Sequence, residues 1–280
     1  MPRFALVLVL LTALGACTST SQDSTPAPAP PSSSTQPPVQ QVYVSIGDSY
    51  ATGLAPGGPG ESFAQIVAKK SGLKLVNLAC NGATSADLAT KPACGQDAAG
   101  KTQLDAAVEA VKGQKTGLVT VVIGGNDLVP CAVAQDPVQC ATRTVTDIRA
   151  NVAATLTRLR EAAPDVKIVG LTYPDVFLGA WVNPSFPNGK NIARLSVTMF
   201  QDFNTTIAAE YAKFGARFAD VTKTTGAYAD LAELTQDPKY GQIPASVAKV
   251  CELTYFCDRT DVHPTPAGHQ AIADAVTAAG

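Results

Sequence analysis

The sequence predicts an α/β fold: a three-layer α/β/α sandwich around a central parallel sheet of about five strands. Three observations predict it. The 280 residues are 46% hydrophobic and only 16% charged, enough apolar material for one large domain with a buried sheet. Short apolar runs rich in β-branched residues recur along the chain. Stretches long enough for a crossover helix separate most of them. Strands that are apolar almost without alternation are covered on both faces, which is the situation of a parallel sheet between helical layers.

The first strand is VYVSI (42–46), and a helical stretch over 61–71 follows it. LKLVNLA (73–79) is the second strand, with a helix over 102–112 before the third, LVTVVI (118–123). A helix over 143–162 leads to VKIVGL (166–171), another over 190–214 leads to ARFADV (216–221), and a helix over 266–279 closes the chain. No break in composition interrupts 42–280, which therefore reads as one domain. Open parallel sheets bind ligands beyond the carboxyl ends of their strands, so the loops after the strands are where a site belongs.

The first residues read differently. Met-Pro-Arg and the apolar 4-FALVLVLLTALGA-16 have the form of a signal peptide, 1–16, too short as a helix to cross a bilayer core of about 30 Å. Leu14-Gly15-Ala16-Cys17 resembles the lipobox of bacterial lipoproteins, in which cleavage precedes a cysteine that is then acylated; the plainer alternative is an ordinary signal peptide with a chance cysteine. Residues 17–41, almost all Ser, Thr, Pro, Gln and Ala, read as a tether. The expectation is an exported protein anchored through Cys17 to the outer face of a bacterial membrane. Several acyl chains on one residue would hold it there, where one chain binds only marginally. Net charge is −2, with no basic run, so no nucleic-acid partner is expected, and a monomer is.

Without Cys17 six cysteines remain, an even number that in an exported chain implies disulfides. They fall into three local couples: Cys80 with Cys94, Cys131 with Cys140, and Cys251 with Cys257. A zinc site fits less well, because no C-x-x-C occurs and the only histidines are His263 and His269. No metal or other cofactor is expected.

Four loops at the predicted strand edge carry reactive residues: Gly47-Asp48-Ser49, 80-CNGATSADL-88, 124-GGNDL-128 and 261-DVHPTPAGH-269. Each is ordinary alone, since serine and glycine are common in turns. Together they supply what acyl transfer needs: a hydroxyl, a base to take its proton, and donors for the oxyanion. With all four blocks in order, the chain resembles the SGNH hydrolases, the GDSL esterase and lipase superfamily. The resemblance covers 43–279. It implies the same three-layer, flavodoxin-like sheet, with Ser49 as nucleophile and His263 as base. It also implies an oxyanion hole made by the N–H groups of Ser49 and Gly82 and the amide of Asn126. The α/β-hydrolase motif G-x-S-x-G is absent around Ser49, and 53-GLAPGGPGES-62 lacks the Gly-Lys-Ser/Thr of a phosphate loop.

Two departures from the family pattern stand out. Tyr50 replaces the leucine of GDSL. Many members place an acid three residues before the histidine, where this chain has Thr260; Asp261 lies two before. Either the Asp261 side chain or the Thr260 carbonyl then orients the imidazole. Asp48, Asp127 and Asn81 are expected to hold loops, and His269 to pack in the last helix. Phe177 and Trp181 either line an acyl pocket or cover the core. The resemblance implies hydrolysis of an ester or lipid substrate through an acyl-serine. The alternatives are a carbohydrate O-deacetylase acting on cell-envelope glycans, or a catalytically silent lipid- or glycan-binding lipoprotein.

Overall fold

The computed structural model describes residues 41–95, 98–113 and 115–280. The expected signal peptide, Cys17 and the tether up to residue 40 lie outside the described residues. Strand β1 (Val42–Gly47) leads into the one-turn helix α1 (Ser49–Thr52), then α2 (Phe63–Ser71) and β2 (Lys74–Asn77). The short α3 (Asp87–Thr90) and the longer α4 (Gln103–Gly113) precede β3 (Thr116–Val122), which ends in the one-turn α5 (Gly125–Leu128). Helix α6 (Pro137–Ala162) precedes β4 (Ile168–Leu171), and α7 (Gly189–Lys213) precedes β5 (Arg217–Ala219). After the short α8 (Val221–Thr224) come the hairpin strands β6 (Leu234–Asp237) and β7 (Gly241–Pro244), then α9 (Ala245–Leu253), α10 (Phe256–Arg259) and α11 (Pro266–Ala279).

The five main strands are parallel throughout, in the order β2-β1-β3-β4-β5. Strand order reverses at β1, so the crevice between the carboxyl ends of β1 and β3 is the topological switch point where such sheets bind ligands. The period-two pleat sorts side chains between two cores. Val42, Val44 and Ile46 join Val119 and Val121 under α4, α6 and α7, against Leu104, Ile148, Leu156 and Ile207. Tyr43, Leu118 and Val122 face the other way, against Phe63 and Val67 of α2 and Ile272 and Val276 of α11. Close approach demands glycine at Gly170 of β4, where a Cβ would lie 2.3 Å from the Tyr211 ring.

Three findings differ from the sequence expectation. Helix α6 starts at Pro137 instead of 143, because the Asp136 side chain accepts from the Gln139 N–H and Pro137 supplies a preset first turn. The hairpin β6–β7 has no counterpart in the predicted elements; β6 is mostly exposed and carries no apolar run for pattern reading to detect. Helix α9 follows it directly and buries Val247, Val250 and Leu253.

Three disulfides, Cys80–Cys94, Cys131–Cys140 and Cys251–Cys257, span 14, 9 and 6 residues. The first closes the loop after β2, the second joins the turn after α5 to the start of α6, and the third links α9 to α10 just ahead of His263.

Candidate active site

The turn after β1 is built for close quarters. Gly47 has φ +142°, and a Cβ there would lie 2.1 Å from the Val122 carbonyl oxygen, so only glycine lets β1 and β3 meet at this point. The Gln103 side chain grips Gly47 from both sides, accepting from its N–H at 2.8 Å and donating to its carbonyl at 3.0 Å. Asp48 caps α1 by accepting from the Tyr50 N–H at 3.0 Å, and it accepts the Tyr173 hydroxyl at 2.5 Å. Ser49 opens α1 with 7% of its surface exposed. Its N–H has no acceptor among the described residues.

The histidine loop reaches this turn from the far end of the chain. His263 Nε2 lies 2.9 Å from Ser49 Oγ, and Nδ1 lies 2.7 Å from Asp261 Oδ1. The same carboxylate oxygen accepts the His263 backbone N–H at 2.9 Å. This is an Asx turn, in which an Asp side chain bonds the N–H two residues on. It explains how an acid only two positions before the histidine reaches the ring: the turn that bonds the backbone also brings the carboxylate to Nδ1. Thr260 ends α10 in the left-handed region at φ 55°, and its hydroxyl accepts from Asn183. Of the two groups the sequence left open, Asp261 is the one on the imidazole. With Nδ1–H donating to the carboxylate, Nε2 presents its lone pair to the Ser49 hydroxyl.

Loops after β2 and β3 supply the other wall. Gly82 is exposed at φ +74°, and its N–H also lacks an acceptor among the described residues. Asn126 donates one amide hydrogen to the Ala83 carbonyl at 3.0 Å, which leaves the second available. Asp127 braces the two loops, accepting from the Ser85 N–H at 2.8 Å and hydroxyl at 2.6 Å. Asn81 accepts from Thr52 at 2.6 Å. These loops thus present donors at the edge where the Ser49–His263–Asp261 chain ends. Such an arrangement can take a proton from a hydroxyl and stabilise an adjacent oxyanion. Among the described residues no group of three His, Cys, Asp or Glu could hold a metal ion.

Sequence reading missed Tyr173 and Gln103, which hold the nucleophile turn in place. Trp181 packs against the cluster of Leu178, Ala193 and Val247, with Lys190 and Arg194 over its ring, so its role is packing. Phe177 remains 37% exposed and meets Phe200 and Phe256 edge-on.

Burial shifts two carboxyls and one imidazole in and around the site. It pushes the carboxyls of Asp48 and Asp175 up to about 7, partly opposed by hydrogen bonds from Tyr173 and Ser196 respectively. It pushes His269 down to about 4, with further help from His263 nearby; its Nδ1 accepts the Phe63 N–H at 3.3 Å. A raised carboxyl contributes stability that is complete below its ordinary value of 3.8 and lost as pH climbs through 7. His269 acts oppositely: its contribution is present above 6.5 and lost as pH falls toward 4. Toward neutral pH, where the ordinary carboxylates are ionised in both states, the two raised carboxyls outnumber the one depressed imidazole, so unfolding free energy should fall as pH rises toward 7. Asp175→Asn should flatten that slope in urea titrations, and an unchanged slope would show that Asp175 is ionised in the fold.

The sequence matches the GDSL-like Lipase/Acylhydrolase family over residues 45–271. No curated protein matches it. Among solved structures, it is similar to an extracellular lipase from Streptomyces rimosus, at 20% identity and a TM-score of 0.56 over 86% of this chain and 100% of that one. A lipase from a goat rumen metagenome aligns at 18% identity and a TM-score of 0.58, over 86% and 98% of the two chains. Phospholipase A1 from Streptomyces albidoflavus aligns at 18% and 0.52, over 86% and 100%. At these identities the likeness is one of fold.

Proposed function

Because this chain belongs to the GDSL-like lipase/acylhydrolase family, we propose that it is a serine esterase or lipase that hydrolyses carboxylic esters through an acyl-serine intermediate. One observation carries the proposal: the hydrogen-bonded line from Ser49 Oγ through His263 to Asp261, at 2.9 and 2.7 Å, beside the switch point of the sheet. In the first half-reaction His263 Nε2 takes the Ser49 proton as Oγ attacks the ester carbonyl carbon. The oxyanion accepts from the N–H groups of Ser49 and Gly82 and from the Asn126 amide. His263 passes the proton to the departing alkoxide, which leaves as the alcohol. Water then gives its proton to His263 and attacks the acyl-serine, and the proton returns to Ser49 as the carboxylic acid departs. Asp261 steadies the imidazolium formed in each half.

Lipid esters are the substrate class we put first, over sugar acetates, because the family is described as one of lipases and acylhydrolases. Export and anchoring through an acylated Cys17 belong to the same proposal, which places a monomeric enzyme on the outer face of a bacterial membrane. Three disulfides support an oxidising compartment. Among the described residues no helix is long and apolar enough to cross a membrane.

The proposal is tested by a panel of esters from acetyl to palmitoyl, together with a fluorophosphonate probe. Hydrolysis with preference for longer acyl chains, and labelling at Ser49, are expected. Activity confined to acetylated glycans would make it a deacetylase, and neither labelling nor turnover would leave a binding protein. Asn126→Ala should keep the fold and lose about 10² to 10³ in kcat. An unchanged kcat would remove the amide from the oxyanion hole.

A further inference from the structure

Three site loops come from distant parts of the chain: the nucleophile turn at Asp48–Tyr50, the turn at Gly125–Asn126, and the base loop at Asp261–His263. Two buried tyrosines lie where they meet. Tyr50 sends its hydroxyl across 212 positions to donate to the Val262 carbonyl at 2.5 Å. Tyr173, just beyond β4, accepts from the Gly125 N–H at 3.1 Å and donates to Asp48 at 2.5 Å. The two rings pack edge to face with centroids 4.8 Å apart. Each hydroxyl thus ties the nucleophile turn to a different partner loop, and the rings tie the two links together.

We propose that Tyr50 and Tyr173 form a brace that sets the position of His263 and of the Asn126 turn relative to Ser49, with Tyr50 as the positioning residue for the base. The inference rests on the esterase reading above. The carbonyl that Tyr50 holds belongs to the residue between Asp261 and His263, so the bond fixes the peptide that joins acid and base. Among the described residues only two hydrogen bonds connect the nucleophile turn with the base loop: this one and the Ser49–His263 contact itself. Val262 is 41% exposed, so solvent lies on its other side and does not restrain it. Without the Tyr50 hydroxyl the reacting pair would have to maintain its own geometry. The leucine that gives the GDSL motif its name has no hydroxyl to make this bond. The tyrosine accompanies a base loop whose acid is two, not three, residues before the histidine.

Tyr50→Phe keeps the ring and removes the bond. It should lower kcat about 10- to 100-fold on a soluble short-chain chromogenic ester, with KM changed by less than about twofold, within the roughly 10²-fold that misplacing a reacting group by about 1 Å can cost. The thermal midpoint should move by only a few degrees. Tyr50→Leu should be no better than Tyr50→Phe. Tyr173→Phe should also lower kcat, through the Asn126 turn. A spectroscopic readout separates the two tyrosines, because the sequence has only two histidines. The downfield proton NMR signal of His263 Nδ1–H should be sharp in the parent and in Tyr173→Phe, and broadened or lost in Tyr50→Phe. Parental kcat and a parental His263 signal in Tyr50→Phe would overturn the proposal, as would absence of that signal from the parent. Should the parent hydrolyse no ester, the esterase reading fails, and the His263 signal alone then decides the brace: loss in Tyr50→Phe supports it and persistence overturns it.

Discussion

Ser49→Ala is expected to remove nearly all ester hydrolysis, His263→Ala to remove as much, and the double variant to be little worse than either single. The expected loss in kcat is on the order of 10⁴ to 10⁶, the range in which members of a serine–histidine unit fall when deleted. Non-additivity is the informative part. A serine with no base attacks slowly, and a base with no serine has nothing to activate, so the second deletion removes what the first has already disabled. The folded state should tolerate all three changes. Among the described residues the only side-chain hydrogen bond of Ser49 runs to His263, while the base loop keeps the Thr254–Pro264 bridge and the bond from the Tyr255 N–H to the His263 carbonyl. Thermal midpoints close to the parent's, alongside lost turnover, would separate chemistry from folding. Strictly additive losses would show that the two residues do not share a step.

Much of this arrangement is legible in the sequence because each of its causes is local. The runs that form the central strands β1, β3 and β4 are apolar on both faces, and that pattern needs no tertiary information to identify a buried parallel sheet. The four loops fall after strands or before the last helix, so topology alone brings them to one edge. The three cysteine couples are close enough along the chain to pair as expected. What escapes depends on contacts between distant residues. Tyr173 resembles any aromatic after a strand until Asp48 and Gly125 are found on its hydroxyl. Tyr50 passes for a tolerable replacement of leucine until the Val262 carbonyl is found 2.5 Å away. The hairpin β6–β7 is short and exposed, and no periodicity marks it. The start of α6 did have a local signal in Asp136-Pro137, a capping residue followed by a proline suited to a first turn.

The acid is where sequence and structure had most to settle. Asp261→Asn is expected to cost about 10² to 10⁴ in kcat while leaving KM and stability close to the parent's. Asparagine retains a carbonyl oxygen that can accept the His263 backbone N–H, so the Asx turn and the path of the loop survive the change. What disappears is the negative charge beside Nδ1. Its amide hydrogens can also turn toward the ring and favour the tautomer that points an N–H at Ser49, which leaves the hydroxyl without a base. The upper end of the range belongs to a fully buried triad aspartate. Here the Asp261 side chain is 30% exposed, so water screens its charge and the loss should fall short of that limit. Steady-state kinetics beside Asp261→Ala give the decisive comparison. If the carboxylate orients the ring, both variants lose comparable activity. If the Thr260 carbonyl can take its place, both should stay within about tenfold of the parent, and the catalytic unit would be a Ser49–His263 dyad.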